Sequence, residues 1–184
     1  MSILLIIVII IVIIIIIVLI AAGFMKNEYT IERHIIISKS KEDVFNYIRY
    51  LKNQENYNKW VMTDPNMKKE YKGTDGTPGF VYAWDSSNKQ VGKGEQEIKS
   101  IIAGERIDHE IRFIKPFNGV SHASMIVASI DNPDSHRGQT QVTWDFNGRR
   151  NYPMKIVHFL FNLKKMLGQD IEISLANLKA VIEK

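Results

Sequence analysis

The run from Ile3 to Ala22 contains only Ile, Leu, Val and two closing alanines, with no polar residue anywhere in it. At 1.5 Å per residue such a run makes a helix of about 30 Å, the thickness of the hydrocarbon core of a bilayer. Each Ile, Leu or Val favours insertion by roughly 0.3–0.6 kcal/mol, so the whole run favours it by about 5–10 kcal/mol with no charge in opposition. A single transmembrane helix is therefore expected. The small residues Ala21, Ala22 and Gly23 would also suit cleavage as a secretory signal. Against cleavage, the run exceeds the roughly 7–15 residues of a signal core, and no Lys or Arg precedes it. The expectation is a retained anchor over 1–25 and a single domain over 26–184. Lys26, Arg33, Lys39 and Lys41 follow the anchor, which leans towards a cytoplasmic domain by the positive-inside rule.

About 160 residues remain once the anchor is set aside, enough for one domain that buries roughly 70% of the surface its unfolded chain exposes. All charged residues lie in this part, so the formal net charge of +4 belongs to it and favours a nearby anionic membrane surface. Cysteine is absent, which fits either redox compartment.

The link from anchor to domain is short, because Tyr29 to Ser38 already reads as a strand rich in Thr, Ile and Tyr. Ser40 with Asp43 three residues on forms an approximate capping box, and Val44, Phe45, Ile48 and Leu51 supply the apolar stripe of a short helix. A second short helical or turn segment runs towards Trp60 and ends at Asp64-Pro65. From there to Gly148 apolar and polar residues alternate between turn signals at Asp75-Gly76, Pro78-Gly79, Asn118-Gly119 and Asn132-Pro133, an antiparallel meander. Phe80, Tyr82 and Trp84 share one face of a strand, as do Ile107, His109, Ile111 and Phe113 in another and Val142, Trp144 and Phe146 in a third. Arg106, Asp108, Glu110 and Arg112 fall on the opposite, water-facing side. Between Gly92 and Ile102 the small or polar residues Gly92, Gly94 and Gln96 share a face, which implies a bend in the sheet or a void beside it.

Tyr152-Pro153 opens the last element, with Pro at the first helical position. Ile156, Phe159, Leu160, Leu163, Leu167, Ile171, Leu175, Leu178 and Ile182 follow at spacings of three and four, a stripe that should face the sheet. Val157 and Phe161 widen its first half, and Gly168 is expected to bend or divide the helix.

Strand, two short helices, six-strand meander and long C-terminal helix make an α+β domain. That order, with particular residues, resembles the START-like (SRPBCC) superfamily, specifically the bacterial polyketide cyclase/dehydratase-like proteins. The resemblance is carried by Tyr29 to Ile37, Glu42 to Ile48, Asp64 to Lys68, Val91 to Gly94, Val142 to Trp144 and Leu175 to Lys179. Two positions depart from the pattern: Tyr57 stands where such proteins often have tryptophan, and Ser38-Lys39-Ser40 replaces a turn that commonly holds proline. The resemblance implies a helix-grip (START/Bet v 1-like) fold, a curved antiparallel sheet of about seven strands around the C-terminal helix with an apolar cavity between them. A reaction does not follow from it, because the superfamily includes enzymes, lipid carriers, receptors and co-chaperone-like modules.

The residues exclude more chemistry than they assign. There is no cysteine nucleophile, no Gly-x-Ser-x-Gly elbow and no Gly-rich phosphate loop. His34, His109, His122, His136 and His158 lack metal-ligand spacing, so no metal or cofactor is expected. Arg149-Arg150 and Lys164-Lys165 are isolated basic pairs without interleaved aromatics, so no nucleic-acid partner is expected. In a helix-grip fold the aromatic residues Trp60, Phe80, Tyr82, Trp84, Phe113, Trp144, Phe146 and Phe159 would line the cavity, where indole and phenol groups can orient a polar headgroup. The leading expectation is a membrane-anchored domain that binds a hydrophobic small molecule or lipid, with the bilayer as its other partner. Two alternatives stand beside it: a cyclase or dehydratase using the inward-turned His109 as acid or base, and a protein-interaction adaptor with no ligand.

Overall fold

The computed structural model describes residues 2–24, 26–130, 138–149, 155–156 and 162–184. Expectations that rest on Asn132-Pro133, Arg150, Pro153, Val157, His158, Phe159, Leu160 and Phe161, and on His136, lie outside the described residues.

The apolar run forms helix α1 (Ile3–Phe24), 22 residues and about 33 Å long. It is long and apolar enough to cross a membrane, and its side chains are exposed along nearly its whole length. A helix apolar all round and exposed over nearly all its length, with only Ala22 buried, has the surface of a membrane span or a signal sequence. Strand β1 (Glu28–Ile37) begins after three intervening residues.

Ser40 caps helix α2 (Lys41–Ile48) as its residue type and the Asp43 spacing predict, its hydroxyl accepting from the Asp43 amide at 3.1 Å. Val44, Phe45 and Ile48 are buried. A 3-10 turn (Leu51–Asn56) and helix α3 (Lys59–Thr63) lead into the meander. Its strands are β2 (Lys68–Lys72), β3 (Val81–Asp85), β4 (Lys93–Ile102), β5 (Arg106–Lys115), β6 (Gly119–Ile130) and β7 (Gln139–Arg149). The sheet is antiparallel throughout, in the order β1-β7-β6-β5-β4-β3-β2, so β1 closes onto the last strand of the meander.

Helix α4 (Leu163–Ile182) lies against this sheet and buries Ile171, Leu175 and Leu178. Each such side chain contributes about 1.5–3 kcal/mol on leaving water. Its C-terminal end is tied to β1 and the residue after it: the Lys179 ammonium donates to the Ile36 carbonyl at 2.8 Å and the Ser38 amide to Glu183 at 2.6 Å. The helix runs through Gly168 without interruption, so the glycine does not divide it. A Cβ at residue 168 would instead strike the Arg33 guanidinium, so the glycine admits Arg33 from β1, whose Nε reaches Glu172 at 2.5 Å. Among the described non-glycine residues, Asn162, immediately before Leu163, has a positive φ, 46°. Asn tolerates that conformation better than most residues.

The outer face of the sheet carries the expected charges as two hydrogen-bonded clusters. Arg112 donates to Glu95 at 2.6 Å, Glu97 at 2.8 Å and Glu110, while Asp108 accepts from Arg106 and Ser124, each at 2.6 Å, and from Ser100 at 2.7 Å. These bonds hold the Glu97 and Asp108 carboxyls below their ordinary range and raise Arg112 further above its own.

Candidate functional site

The inner faces of β3, β4 and β5 are organised in rows that run across the strands. Phe80 of the β2–β3 turn, Ile98 and His109 make one row, since Ile98 pairs with His109 and its amide donates to the Phe80 carbonyl at 3.0 Å. Tyr82, Gln96 and Ile111 make the next. Trp84, Gly94 and Phe113 make the third. A cavity of about 230 Å³ lies over the second and third rows, and the first row is packed shut.

Besides those two rows, the lining comprises Trp144 and Phe146 of β7, Leu167 and Ile171 of α4, Trp60 and Val61 of α3, and Gln54, Asn58 and Met67 beside them. Gln90, Val91, Lys115 and Pro116 complete it, with Gln90, Lys115 and Pro116 exposed at the rim. Six of the eight aromatic residues expected from the sequence thus come together: Trp60, Tyr82, Trp84, Phe113, Trp144 and Phe146. Phe80 does not join them; it is buried in the row below and stacks on Tyr71 at 6.1 Å. Phe159 lies outside the described residues.

Gly94 explains how so many rings fit. A Cβ there would lie 2.6 Å from Trp84 Cζ2, so its absence lets the indole lie across β4, with edge-to-face contact to Phe113 at 6.4 Å. Removing side-chain volume at residue 94 therefore seats a ring rather than leaving space empty. The register also shifts between Lys93 and Gly94.

The polar atoms of the lining divide into satisfied and unsatisfied sets. Trp84 Nε1 donates to the Val91 carbonyl at 3.3 Å. Asn58 caps α3, its Oδ1 accepting from the Trp60 amide at 3.0 Å while its Nδ2 donates to Gln54 at 3.0 Å. By contrast, the Tyr82 hydroxyl and Trp144 Nε1 are buried with no hydrogen-bond partner among the described residues. Burial pushes the Tyr82 phenol well above its ordinary pKa, so it stays protonated and able to donate. The indole can only donate. Two unmet donors beside an apolar, aromatic surface can take a hydrogen-bond acceptor on an otherwise apolar molecule. Lys115, at the rim, is the one charged residue among those lining the cavity.

His109 points inward as the alternation predicts and is 3% exposed, but it belongs to the row beneath the cavity and is not part of its lining. Its Nε2 has no partner among the described residues, and burial, only partly opposed by Asp108, lowers its pKa to about 4. It is a neutral imidazole at pH 7. No group of three or more His, Asp or Glu among the described residues is placed to hold a metal ion. Gln54, Asn58, Val61, Met67 and Gln96 are lining residues that the sequence pattern did not single out as a site. The signal for Gln96 was present, a polar side chain on the inner face of β4; nothing in the sequence distinguished Gln54 or Asn58 from turn residues.

A curved antiparallel sheet closed on a long C-terminal helix, with an apolar cavity between them, is the helix-grip arrangement of START and Bet v 1-like proteins. Comparison with solved structures agrees. The chain is similar to the di-domain ARO/CYC BexL from the BE-7585A biosynthetic pathway, with a TM-score of 0.60 and 13% identity, covering 89% of this chain and 52% of that one. Truncated norcoclaurine synthase from Thalictrum flavum is similar at a TM-score of 0.59 and 10% identity, covering 85% and 95% of the two chains. Protein CV1439 from Chromobacterium violaceum is similar at 0.55 and 17%, covering 87% and 99%. At these identities the likeness establishes the fold. No family model matches the sequence, and neither does any curated protein.

Proposed function

We propose that this protein is a membrane-tethered helix-grip domain that holds a small hydrophobic molecule bearing a hydrogen-bond acceptor. The observation that carries this reading is the pair of buried donors, Tyr82 Oη and Trp144 Nε1, unpartnered among the described residues, on two side chains that line an aromatic cavity. Leaving a buried donor unmet costs about 1–3 kcal/mol, and a bound acceptor would recover it. At about 230 Å³ the cavity falls a little short of the roughly 300–1,000 Å³ of drug-sized sites, which suits one ring system or a short isoprenoid better than a two-chain lipid. Helix α1 serves as a retained anchor, and the cations that follow it favour a cytoplasmic domain.

The test is to offer the delipidated full-length protein in detergent a lipid extract and identify what it retains by mass spectrometry. One defined apolar species retained by wild type, and at least several-fold less by Trp144→Phe, is the expected result. Recovery of nothing across extracts overturns the reading. For the cyclase or dehydratase alternative, an acid or base has to reach the ligand, and His109 sits one row below the cavity; activity on the recovered species that His109→Ala abolishes would replace binding with catalysis.

A further inference from the structure

The registers place one end of every strand together. The start of β1, the ends of β3, β5 and β7, and the starts of β2, β4 and β6 lie on one side, because Glu28 pairs with Arg149, Gly148 with Ser121, Phe113 with Gly119, and Lys93 with both Lys115 and Asp85. This is the end at which the chain arrives from α1. Three residues separate Phe24 from Glu28, a span of at most about 14 Å. The β5–β6 hairpin lies two to three strand spacings away, roughly 10–15 Å across the sheet.

That hairpin presents an exposed apolar group at this end. Phe117 at its tip is 55% exposed, and Ile114 and Val120, both exposed, flank it on the outer face of β5 and β6. An exposed aromatic between two exposed aliphatic residues is costly to leave in water. The surrounding charge is mainly positive: Lys89 and Lys115 form no ion pair among the described residues, Asp85 is held by Lys93 at 2.6 Å, and Glu28 faces Arg149 in the register. The β4–β5 turn at the opposite end has a different character. There the exposed Ile102 is followed by Ala103, Glu105 and Arg106, with no aromatic.

We infer that the β5–β6 hairpin tip is a second membrane contact, with Phe117, Ile114 and Val120 entering the interface of an anionic bilayer and Lys115 at its phosphates. The inference rests on the reading of α1 as a retained anchor. Aromatic side chains favour the headgroup level, and cations close to an anionic surface add to the attraction. Lys115 and Pro116 belong both to this hairpin and to the rim of the cavity. Seating the hairpin therefore turns the rim towards the lipid, and an apolar ligand can pass between bilayer and cavity without crossing open water.

Because the chain has no cysteine, single introduced cysteines can report depth without background. Full-length protein is reconstituted into phosphatidylcholine vesicles with and without phosphatidylglycerol and carries a nitroxide at Asn118→Cys, Ala103→Cys or Ile10→Cys. Collision with oxygen is compared with collision with a water-soluble nickel chelate. The expected result is oxygen-rich, nickel-poor labels at residues 10 and 118, a nickel-accessible label at 103, and greater depth at 118 when phosphatidylglycerol is present. Adding Phe117→Asp should raise nickel access at 118 several-fold and leave residue 10 unchanged. A water-exposed label at 118 with residue 10 in hydrocarbon overturns the hairpin contact and leaves the anchor standing. Water exposure at residue 10 overturns the anchor and this inference together. Insensitivity of 118 to Phe117→Asp, or equal depth in both vesicles, overturns the contact as stated.

Discussion

Two neighbouring rows on the inner face of the sheet look alike in composition and behave differently. Phe80, Ile98 and His109 are packed shut, whereas Tyr82, Gln96 and Ile111, one step along the same strands, border the cavity. Both rows hold an aromatic, an aliphatic and a polar residue. What separates them is the packing around them: the first belongs to the closed core, and the second shares a cavity with rings of α3 and β7, the amides of Gln54 and Asn58 and the aliphatic side chains Leu167 and Ile171 of α4. Inward orientation is therefore not sufficient for a binding residue. Position along the strand decides whether an inward side chain is core or site.

The largest test of this contrast is truncation in each row. Ile98→Ala, in a residue with no exposed surface, should lower unfolding free energy by about 2–5 kcal/mol, and Ile111→Ala by less than half as much because its side chain already borders open space. Denaturant titration of the full chain in detergent measures both, and equal losses would break the distinction between the rows.

His109 supplies the next largest effect. Its folded pKa of about 4 lies below the ordinary 6.5, so the unfolded chain binds a proton that the folded chain refuses, and stability falls as pH drops below 6.5 until it levels near pH 4. Between pH 7 and pH 5 the loss should be about 2 kcal/mol. His109→Leu should remove that slope; a slope that persists would place the titrating group elsewhere.

On the outer face, Arg112→Met leaves Glu95, Glu97 and Glu110 without their shared partner and should cost about 1 kcal/mol at low salt and less at high salt, since the network is partly exposed. Loss of several kcal/mol, insensitive to salt, would show that this face is desolvated by a partner. The smallest expected effect is that of Tyr82→Phe. Its buried hydroxyl has no partner among the described residues, so removing it should raise stability by up to about 1 kcal/mol while retention of the ligand drops about fivefold. A marked fall in stability with retention unchanged would assign the hydroxyl a structural bond instead.

Much of the architecture was legible because it is encoded locally. The Ser40–Asp43 spacing gave the cap of α2, Asp64-Pro65 the end of α3, and period-two alternation the inner and outer faces of β5. The site was legible in part: alternation brought five of the six lining aromatics to the right face but placed Phe80 and His109 with them, since parity carries no information about position along the strand. Gly168 was read from its weak helix propensity alone. In the fold its missing side chain makes room for Arg33, 135 residues away in sequence.

By itself, the sequence determined that an apolar helix of membrane-spanning length leads directly into a mixed α+β domain. Twenty residues of one character and strict alternation are properties of a chain segment, independent of what it packs against. The tertiary structure decided that Tyr82 and Trp144, whose donors have no partner among the described residues, line a cavity, that Gly94 seats an indole, and that the Phe117 hairpin shares an end of the sheet with the anchor. Those facts depend on register and on packing between distant segments, and no local pattern contains them.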